Sequence, residues 1–473
     1  MNARDCGMIK SAEKKLPMNM LPVLFSLAWP TMLEQLFQTA VQYIDTAMVG
    51  ALGTDATAAV GSTGTIGWLV ISSISALGIG FLAYVARACG AGDRQATART
   101  ASQAVLLVLL IGSVFTVLLA IVSPYVPGWM QVDSHIRSMA SAYFFVLYLP
   151  MLPRTASLIF SNLLRAVGDT KTPMRVGVVV NVINVILNFI LIYPSREIVF
   201  GGVTFTLFGA GMGVVGAATA SAIAFTAGGI MTTIALWNHP LISPRGWPLR
   251  LDMEVLRPCL KIAIPNMLQR FGTALGFVAF AAMINSLGGV ATATHAIANT
   301  VESAFYIPGW GMQTAAATLA GNALGAKDRK RLHDLLKISL VVVVFLMIIS
   351  AAMLFFSAPY LMRLFSKSPE VIGLGVIVLR MVAISEPFYG LSIILEGVLQ
   401  GLGNTVIPFV YGVMGMWCVR IVGTFVCTQI LEMGLVSTWA CMIANNMSVC
   451  LMYILYYARG KWDPFKIKVP KEA

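Results

Sequence analysis

Charge is what this sequence has least of. Of 473 residues only 11% are Asp, Glu, Lys or Arg, and the acids number 20. A soluble domain carries about 25% charged residues, so a soluble globular fold is excluded. Recognisable catalytic signatures are also missing. HExxH, GxSxG, the Walker A lysine motif and a dinucleotide fingerprint do not occur in supporting context, which argues against an enzyme and against ATP-driven transport by this chain alone. The seven cysteines form no CxxC or Cys/His pair at metal spacing, so neither a zinc site nor a disulfide framework is expected. No cofactor is expected. Nor is a cleavable signal peptide, because the lysine-bearing start runs straight into a full-length apolar segment.

What fills the sequence instead is apolar. It is 58% hydrophobic, and its mean hydropathy is +0.82. Segments long enough to cross a bilayer, about 20 residues each, recur throughout, which argues for helices and against a barrel's short alternating strands. The expected fold is an all-α polytopic membrane protein with 12 transmembrane helices, at 21–50, 56–86, 101–123, 138–163, 174–193, 212–237, 258–286, 291–321, 336–357, 371–399, 407–430 and 434–458. The N-terminus (Arg4, Lys10, Lys14, Lys15), the even-numbered loops and the C-terminus hold 24 of the 32 basic residues. By the positive-inside rule both termini are cytoplasmic, in a multi-pass protein of the cell's inner membrane. The net charge of +12 is mostly this topological bias and attraction to anionic lipid, and is no sign of nucleic acid.

The sequence also matches itself. At one constant offset Pro30, Met32, Leu33, Ala47, Met48, Leu52 and Gly53 fall on Pro265, Met267, Leu268, Ala282, Met283, Leu287 and Gly288. The same offset places Gly90-Ala91-x-Asp93-Arg94 on Gly325-Ala326-x-Asp328-Arg329, and Leu164, Gly168, Thr170 and Pro173 on Leu399, Gly403, Thr405 and Pro408. Three blocks at one register mean an internal duplication. Each half holds an even number of spans, so the halves are parallel six-helix repeats about an axis along the membrane normal. The expected division is an N-terminal segment 1–20, an N-lobe 21–238, a proline-rich linker 239–257, a C-lobe 258–459 and a tail 460–473, with substrate in the cleft between the lobes.

Against this background the intramembrane polar residues stand out. Glu34, Gln38, Gln42 and Asp45 share an arc of roughly 80° on span 1, and an ionisable side chain there must face protein or a wet cavity. On span 5, Asn181, Asn184 and Asn188 share a face. The latter two are deep enough to offer amide oxygens to a cation or proton site with Asp45, and Ser221 on span 6 adds a hydroxyl. The matching second-half positions of Gln42 and Asp45 are Phe277 and Phe280. There the polar residues are His295, Asn299, Glu302 and Tyr306 on span 8 and Glu386, Tyr389 and Glu396 on span 10; of these His295, Asn299, Glu302, Glu386 and Tyr389, with Glu34, Gln38 and Gln42 of span 1, are expected to form a substrate-cavity or second proton site. Arg154 and Arg420 are expected in salt bridges with carboxylates. Glu34 lies near the cytoplasmic third of its helix, where pairing to a basic side chain competes with a functional role.

These residues together resemble the multidrug and toxic compound extrusion (MATE) family, within the larger flippase and polysaccharide exporter superfamily. The carriers are LAWP at 27–30, YIDTAMVGALG around Asp45, the GAGDR and GAKDR loops at 90–94 and 325–329, LLRAVGDTKTP at 163–173, LQGLGNTVIP at 399–408 and NVINVILN at 181–188. The resemblance implies a twelve-helix antiporter whose two lobes enclose a V-shaped cavity and which exports cationic or amphipathic compounds in exchange for H⁺ or Na⁺. It implies that Asp45 matches the family's first-helix cation-site acid, with Asn184 and Ser221 at ligand positions and Asn188 where some members place a second Asp. Na⁺ at Asp45, Asn184 and Asn188 follows from the same comparison. Thr273 and Tyr389 stand where many members carry acids, a departure in the second lobe.

The expected partners are therefore a small amphipathic or cationic organic substrate and the lipid bilayer, for a monomeric protein that binds no nucleic acid. Two other readings compete. A flippase for lipid or lipid-linked oligosaccharide needs a basic cavity for phosphates, whereas only Arg154, Arg270, Arg380 and Arg420 lie in spans. A non-transporting receptor is disfavoured by the duplication and the buried acids.

Overall fold

The protein is described by a computed structural model covering residues 20–466 except 131, 201 and 202, and without the side chains at 62, 63, 65, 196–200 and 203–207. The basic cluster and Cys6 at 1–19, and the tail from 467 onward, lie outside the described residues.

The first half runs through α1 (Met20–Gly50), α2 (Thr54–Gly90), α3 (Arg94–Val122), the short α4 (Val126–Trp129), α5 (Ser134–Tyr148), α6 (Met151–Ala166), α7 (Lys171–Leu191) and α8 (Gly213–Asn238). The second comprises α9 (Met253–Asn285), α10 (Gly289–Phe305), α11 (Ile307–Gly325), α12 (Arg329–Phe365), α13 (Pro369–Gly401), α14 (Val406–Ile430) and α15 (Leu435–Ala458). Ten of these helices are long and apolar enough to cross a membrane, and α5 with α6, bent by 49° at Leu149-Pro150, forms an eleventh span. The remaining expected span, 291–321, is divided at Tyr306 into α10, too short alone at 17 residues, and α11, diluted by Gln313, Asn322 and several glycines. The twelve-span expectation thus holds in layout, with two spans built from two helices each. Pro30 does not break α1: the helix is continuous through it, and the buried Thr31 hydroxyl donates to the Leu27 carbonyl at 3.0 Å.

Two features depart from a purely helical expectation. An antiparallel hairpin, β1 (Pro194–Phe200) with β2 (Val203–Ala210), connects α7 to α8. Its second strand, VTFTLFGA, is rich in the β-branched and aromatic residues that suit a pleated ribbon. Within α14, Gly415–Ile421 and Val426–Ile430 adopt the wider π-helical winding, a form concentrated at functional sites.

The duplication is visible in local geometry. Gly53 and Gly288 hold φ of +116° and +98° at matching turns, conformations that only glycine adopts cheaply. Asp93 accepts from the Ala96 amide and Asp328 from the Arg331 amide, both at 2.9 Å, so the two repeated Gly-Ala-x-Asp-Arg loops are helix entries with equivalent N-caps.

The start of α1 and the end of α15 lie on one side of the bundle, Met20 and Leu24 packing in one apolar cluster with Tyr453 and Trp462. On that side the halves are pressed backbone to backbone. A Cβ on Gly90 would fall 2.1 Å from the Asn322 carbonyl oxygen, and one on Gly325 only 1.9 Å from that of Arg87. The segment after α8 passes through two turns, closed by Ser243 N–H to the His239 carbonyl and Trp247 N–H to the Pro244 carbonyl, before α9 begins at Met253, earlier than the expected 258. It is tied to α3: Arg99 binds Asp252 and, at 2.8 Å, Glu254, while Gln103 donates to the Arg250 carbonyl at 2.8 Å and accepts from the Asp252 amide at 3.0 Å. At the opposite end, the α1–α2 and α9–α10 turns around Gly53 and Gly288 are exposed.

Candidate functional site

The site begins with a close approach of α7 and α8. A Cβ on Gly216 would sit 2.4 Å from the Leu191 carbonyl oxygen, and one on Gly228 2.7 Å from Val180 Cγ2. Small residues therefore let the two helices meet, and that contact aims Asn184, Asn188 and Ser221 at α1. Asn184 and Asn188, one turn apart, are both buried. Asn188 Nδ2 donates to Asp45 Oδ1 at 2.5 Å. The Asn184 amide lies 2.8 and 3.2 Å from the two Asp45 oxygens, and only its nitrogen makes that contact favourable. Its oxygen is then left to accept from Ser221 Oγ at 2.9 Å. Two amide donors thus converge on one carboxylate, which is itself half-buried. Asn188 Oδ1 is buried without a hydrogen-bond partner.

The rest of the span 1 stripe is dispersed. Glu34 accepts from Arg165 Nη2 at 2.6 and 2.8 Å, a buried ion pair that joins α1 to α6. Gln38 and Gln42 are exposed on α1, apart from the Asp45 cluster, and Asn181 keeps a buried, unpartnered amide nitrogen. On another face of α1, Tyr43 donates its hydroxyl to the Thr300 carbonyl of α10 at 2.9 Å, which links the halves.

In the second half Glu302 is buried and accepts from the Tyr306 hydroxyl. The Tyr306 ring packs 4.4 Å from that of Tyr389. Glu386 is fully buried with neither oxygen in a hydrogen bond. Arg420, on the π-wound part of α14, does not pair with a carboxylate within 4.0 Å among the described residues. Its guanidinium lies 4.0 Å from the Phe280 ring and 5.0 Å from Phe277, and Nη2 reaches Met442 Sδ at 3.0 Å. His295 packs edge-on against Phe280 and Trp439, with ring centroids 5.6 and 5.8 Å away. Asn299 is exposed, and Glu396 is satisfied separately by Gln269 and Gln400 at 3.1 and 2.9 Å. The expected salt bridges of Arg154 and Arg420 are replaced by cation–π contacts, because aromatic rings, not acids, stand beside both guanidinium groups.

Comparison with known proteins bears on the fold and the family. The MatE family profile matches residues 30–190 and again 265–426, one copy in each half. The chain belongs to the MatE family. Relatives of this MatE chain include the probable multidrug resistance protein NorM of Thermotoga maritima, 26% identical over 93% of this chain and 92% of that one. The probable multidrug resistance protein YpnP of Bacillus subtilis is 24% identical over 96% and 98%. Among solved structures, a multidrug resistance MATE family transporter in an outward-facing conformation superposes with a TM-score of 0.88, covering 98% of this chain and 99% of that one at 19% identity. A MATE structure in complex with MaL6 does so with a TM-score of 0.88, 19% identity, and coverage of 98% and 100%. At that identity the superpositions establish the MatE fold, and what the site does rests on this chain's own residues.

Two contacts of the MatE site escape sequence reasoning. Tyr43 lies outside the 80° arc that flags span 1, and its partner is a backbone carbonyl, which has no residue signature. Arg165 sits in a basic loop motif that reads as topology rather than as the counter-ion of Glu34.

Proposed function

We propose that this chain is a cation-coupled antiporter that exports amphipathic or cationic organic compounds by alternating access, exchanging them for H⁺ or Na⁺. The observation that carries the reading is the Asp45 carboxylate, set at membrane depth and gripped by the amides of Asn188 and Asn184. A carboxylate held there is costly unless it has work to do. The names of the relatives as multidrug resistance proteins supply the substrate class.

The coupling step follows from hydrogen bonding. With Asp45 ionised, both amides turn their nitrogens to it and tie α1 to α7. A proton on Asp45, or a Na⁺ held by Asp45 with the Asn184 and Asn188 oxygens and Ser221 Oγ, removes the reason for that orientation. The buried, unpartnered Asn188 Oδ1 is the acceptor that becomes available. The helix contact then changes, and the ion biases the equilibrium between two states by its different affinity for each. The tight Gly90 and Gly325 contacts close the side that carries the termini, here taken as cytoplasmic, in the inner membrane. The exposed opposite turns suit an outward-facing state of a monomer whose lobes, 21–238 and 258–459, rock about the 239–257 linker. Glu302 and Glu386, without a basic partner in contact, form the second-lobe proton site, and His295, Tyr306 and Tyr389 line it.

Substrate uptake into inside-out vesicles, with a pH gradient and a Na⁺ gradient imposed separately, tests the proposal. One gradient alone should drive accumulation. Equal uptake with neither gradient would refute the coupling.

A further inference from the structure

The spans α3 and α8 both pack on α6 and leave between them an apolar groove of about 410 Å³. Gly229 sets its floor: a Cβ there would fall 2.3 Å from the Pro153 carbonyl oxygen, so α8 lies directly against α6. Leu109, Phe160, Ile230, Ile234, Trp237 and Leu249 line the groove. The Thr233 hydroxyl on its wall already donates to the Gly229 carbonyl at 2.7 Å, so a ligand meets almost nothing but carbon. Leu109, Ile230 and Ile234 are exposed, and on a membrane span an exposed apolar face meets lipid tails. From Gly229 to Trp237 the groove follows α8 for about 12 Å.

Its mouth, on the side that carries the termini, has a different chemistry. The linker crosses the mouth from α8 to α3. At the α8 end Arg245 Nη2 donates to Asn238 Oδ1 at 2.8 Å, next to Trp237. At the α3 end Gln103 donates to the Arg250 carbonyl at 2.8 Å, and Leu249 reaches the groove beside that anchor. Arg245 and Arg250 are both exposed. Neither pairs with an acid among the described residues, and the acids that follow, Asp252 and Glu254, are held by Arg99.

We propose that the groove and the two arginines at its mouth bind one anionic phospholipid of the leaflet on the terminal side. An acyl chain lies along α8 in the groove, Trp237 stands at interface depth, and the phosphate takes N–H donors of Arg245 and Arg250. Hydrocarbon that ends in an anion at the membrane surface is what an apolar channel with a doubly basic mouth fits, and the planar guanidinium fork matches a phosphate. The bound lipid ties α3, α8 and the linker together where the first half passes into the second.

The test uses the full chain in phosphatidylcholine nanodiscs doped with a trace of phospholipid that carries a photoreactive diazirine on its acyl chain. The probe is phosphatidylglycerol or phosphatidylcholine with the same chains, and labelled peptides are mapped by mass spectrometry. Phosphatidylglycerol should label the 229–237 stretch at least about fivefold more than phosphatidylcholine. Arg245→Gln and Arg250→Gln should each cut phosphatidylglycerol labelling about fivefold and leave phosphatidylcholine within about twofold, the effect of one basic side chain beside an anionic headgroup. Ile234→Trp, which fills the groove and keeps both arginines, should remove labelling by either lipid. Arg363→Gln, at the opposite end of the spans, should change nothing. All four positions are exposed, which spares the fold. Equal labelling of 229–237 by the two lipids would overturn the anionic site, as would a loss in Arg363→Gln as large as that in Arg245→Gln. Undiminished labelling in Ile234→Trp would overturn the groove.

Discussion

Tyr43 donates its hydroxyl to the carbonyl of Thr300 at 2.9 Å, and so joins the helix that bears Asp45 to the helix that bears Glu302. An interhelical bond of this kind is worth about 0.6 kcal/mol on average in membranes. Tyr43→Phe should therefore leave the protein folded and shift the balance of conformations away from this one by about threefold. Spin-label distances between the outer turns of the two halves measure that balance, and an unchanged distribution would remove the bond from the account.

Glu34 and Arg165 are a buried pair, and breaking such a pair costs about 3–5 kcal/mol because it strands a charge. Glu34→Gln should lower the thermal stability of the purified protein markedly. The double change Glu34→Leu with Arg165→Met should recover most of the loss. Failure of the double variant to recover would mean that the pair does more than fill space.

Gly90 and Gly325 permit backbone contact between the halves. A methyl group at Gly325 would overlap the Arg87 carbonyl, so Gly325→Ala should part the halves on the terminal side. Cys89, half-buried beside this contact, should then react faster with a membrane-impermeant thiol reagent applied from that side. An unaltered rate would show that the contact is not what closes it.

The segment after α15 folds back onto α12. Asp463 is fully buried and accepts from His333 at 3.0 Å, the Phe465 amide at 3.0 Å and Arg329 at 2.9 Å. Burial alone would push its carboxyl up, but these hydrogen bonds and the Arg329 charge outweigh it and hold the group below its usual value. A carboxyl depressed by folding stabilises fully above its unfolded value of about 3.9, and that stability is lost as pH falls through the lower folded value. Asp463→Asn should therefore melt below the wild type at pH 7, with the gap closing below about pH 4. A gap that is the same at both pH values would contradict this.

Much of this was legible in the sequence. Constant-offset matches such as Pro30 with Pro265 are enough to find the duplication, and the spacing of Asp45, Asn184, Asn188 and Ser221 is enough to expect a cluster, because helical period and insertion cost constrain where such residues face. The functional roles proposed for them are a separate matter that composition cannot reach. Glu34 shares a helical-wheel arc with Asp45, and only the fold identifies Arg165, at the end of α6, as the basic partner of one of them. Arg154 and Arg420 looked like salt-bridge partners by charge alone, since the rings that meet them, Phe225 and Phe280, are anonymous in a sequence with 24 phenylalanines. The hairpin at Pro194–Ala210 and the π-wound turns of α14 were not anticipated, being local departures within segments whose average composition says helix or loop.

The central claim is that Asp45 couples an ion to export, and the most direct measurement is gradient-driven efflux by Asp45→Asn. The substitution keeps the size but replaces one acceptor oxygen with a donor and cannot carry the charge. The account predicts folded protein at wild-type abundance that still binds substrate, with loss of accumulation under either a pH or a Na⁺ gradient. Full gradient-driven transport by that variant would contradict it.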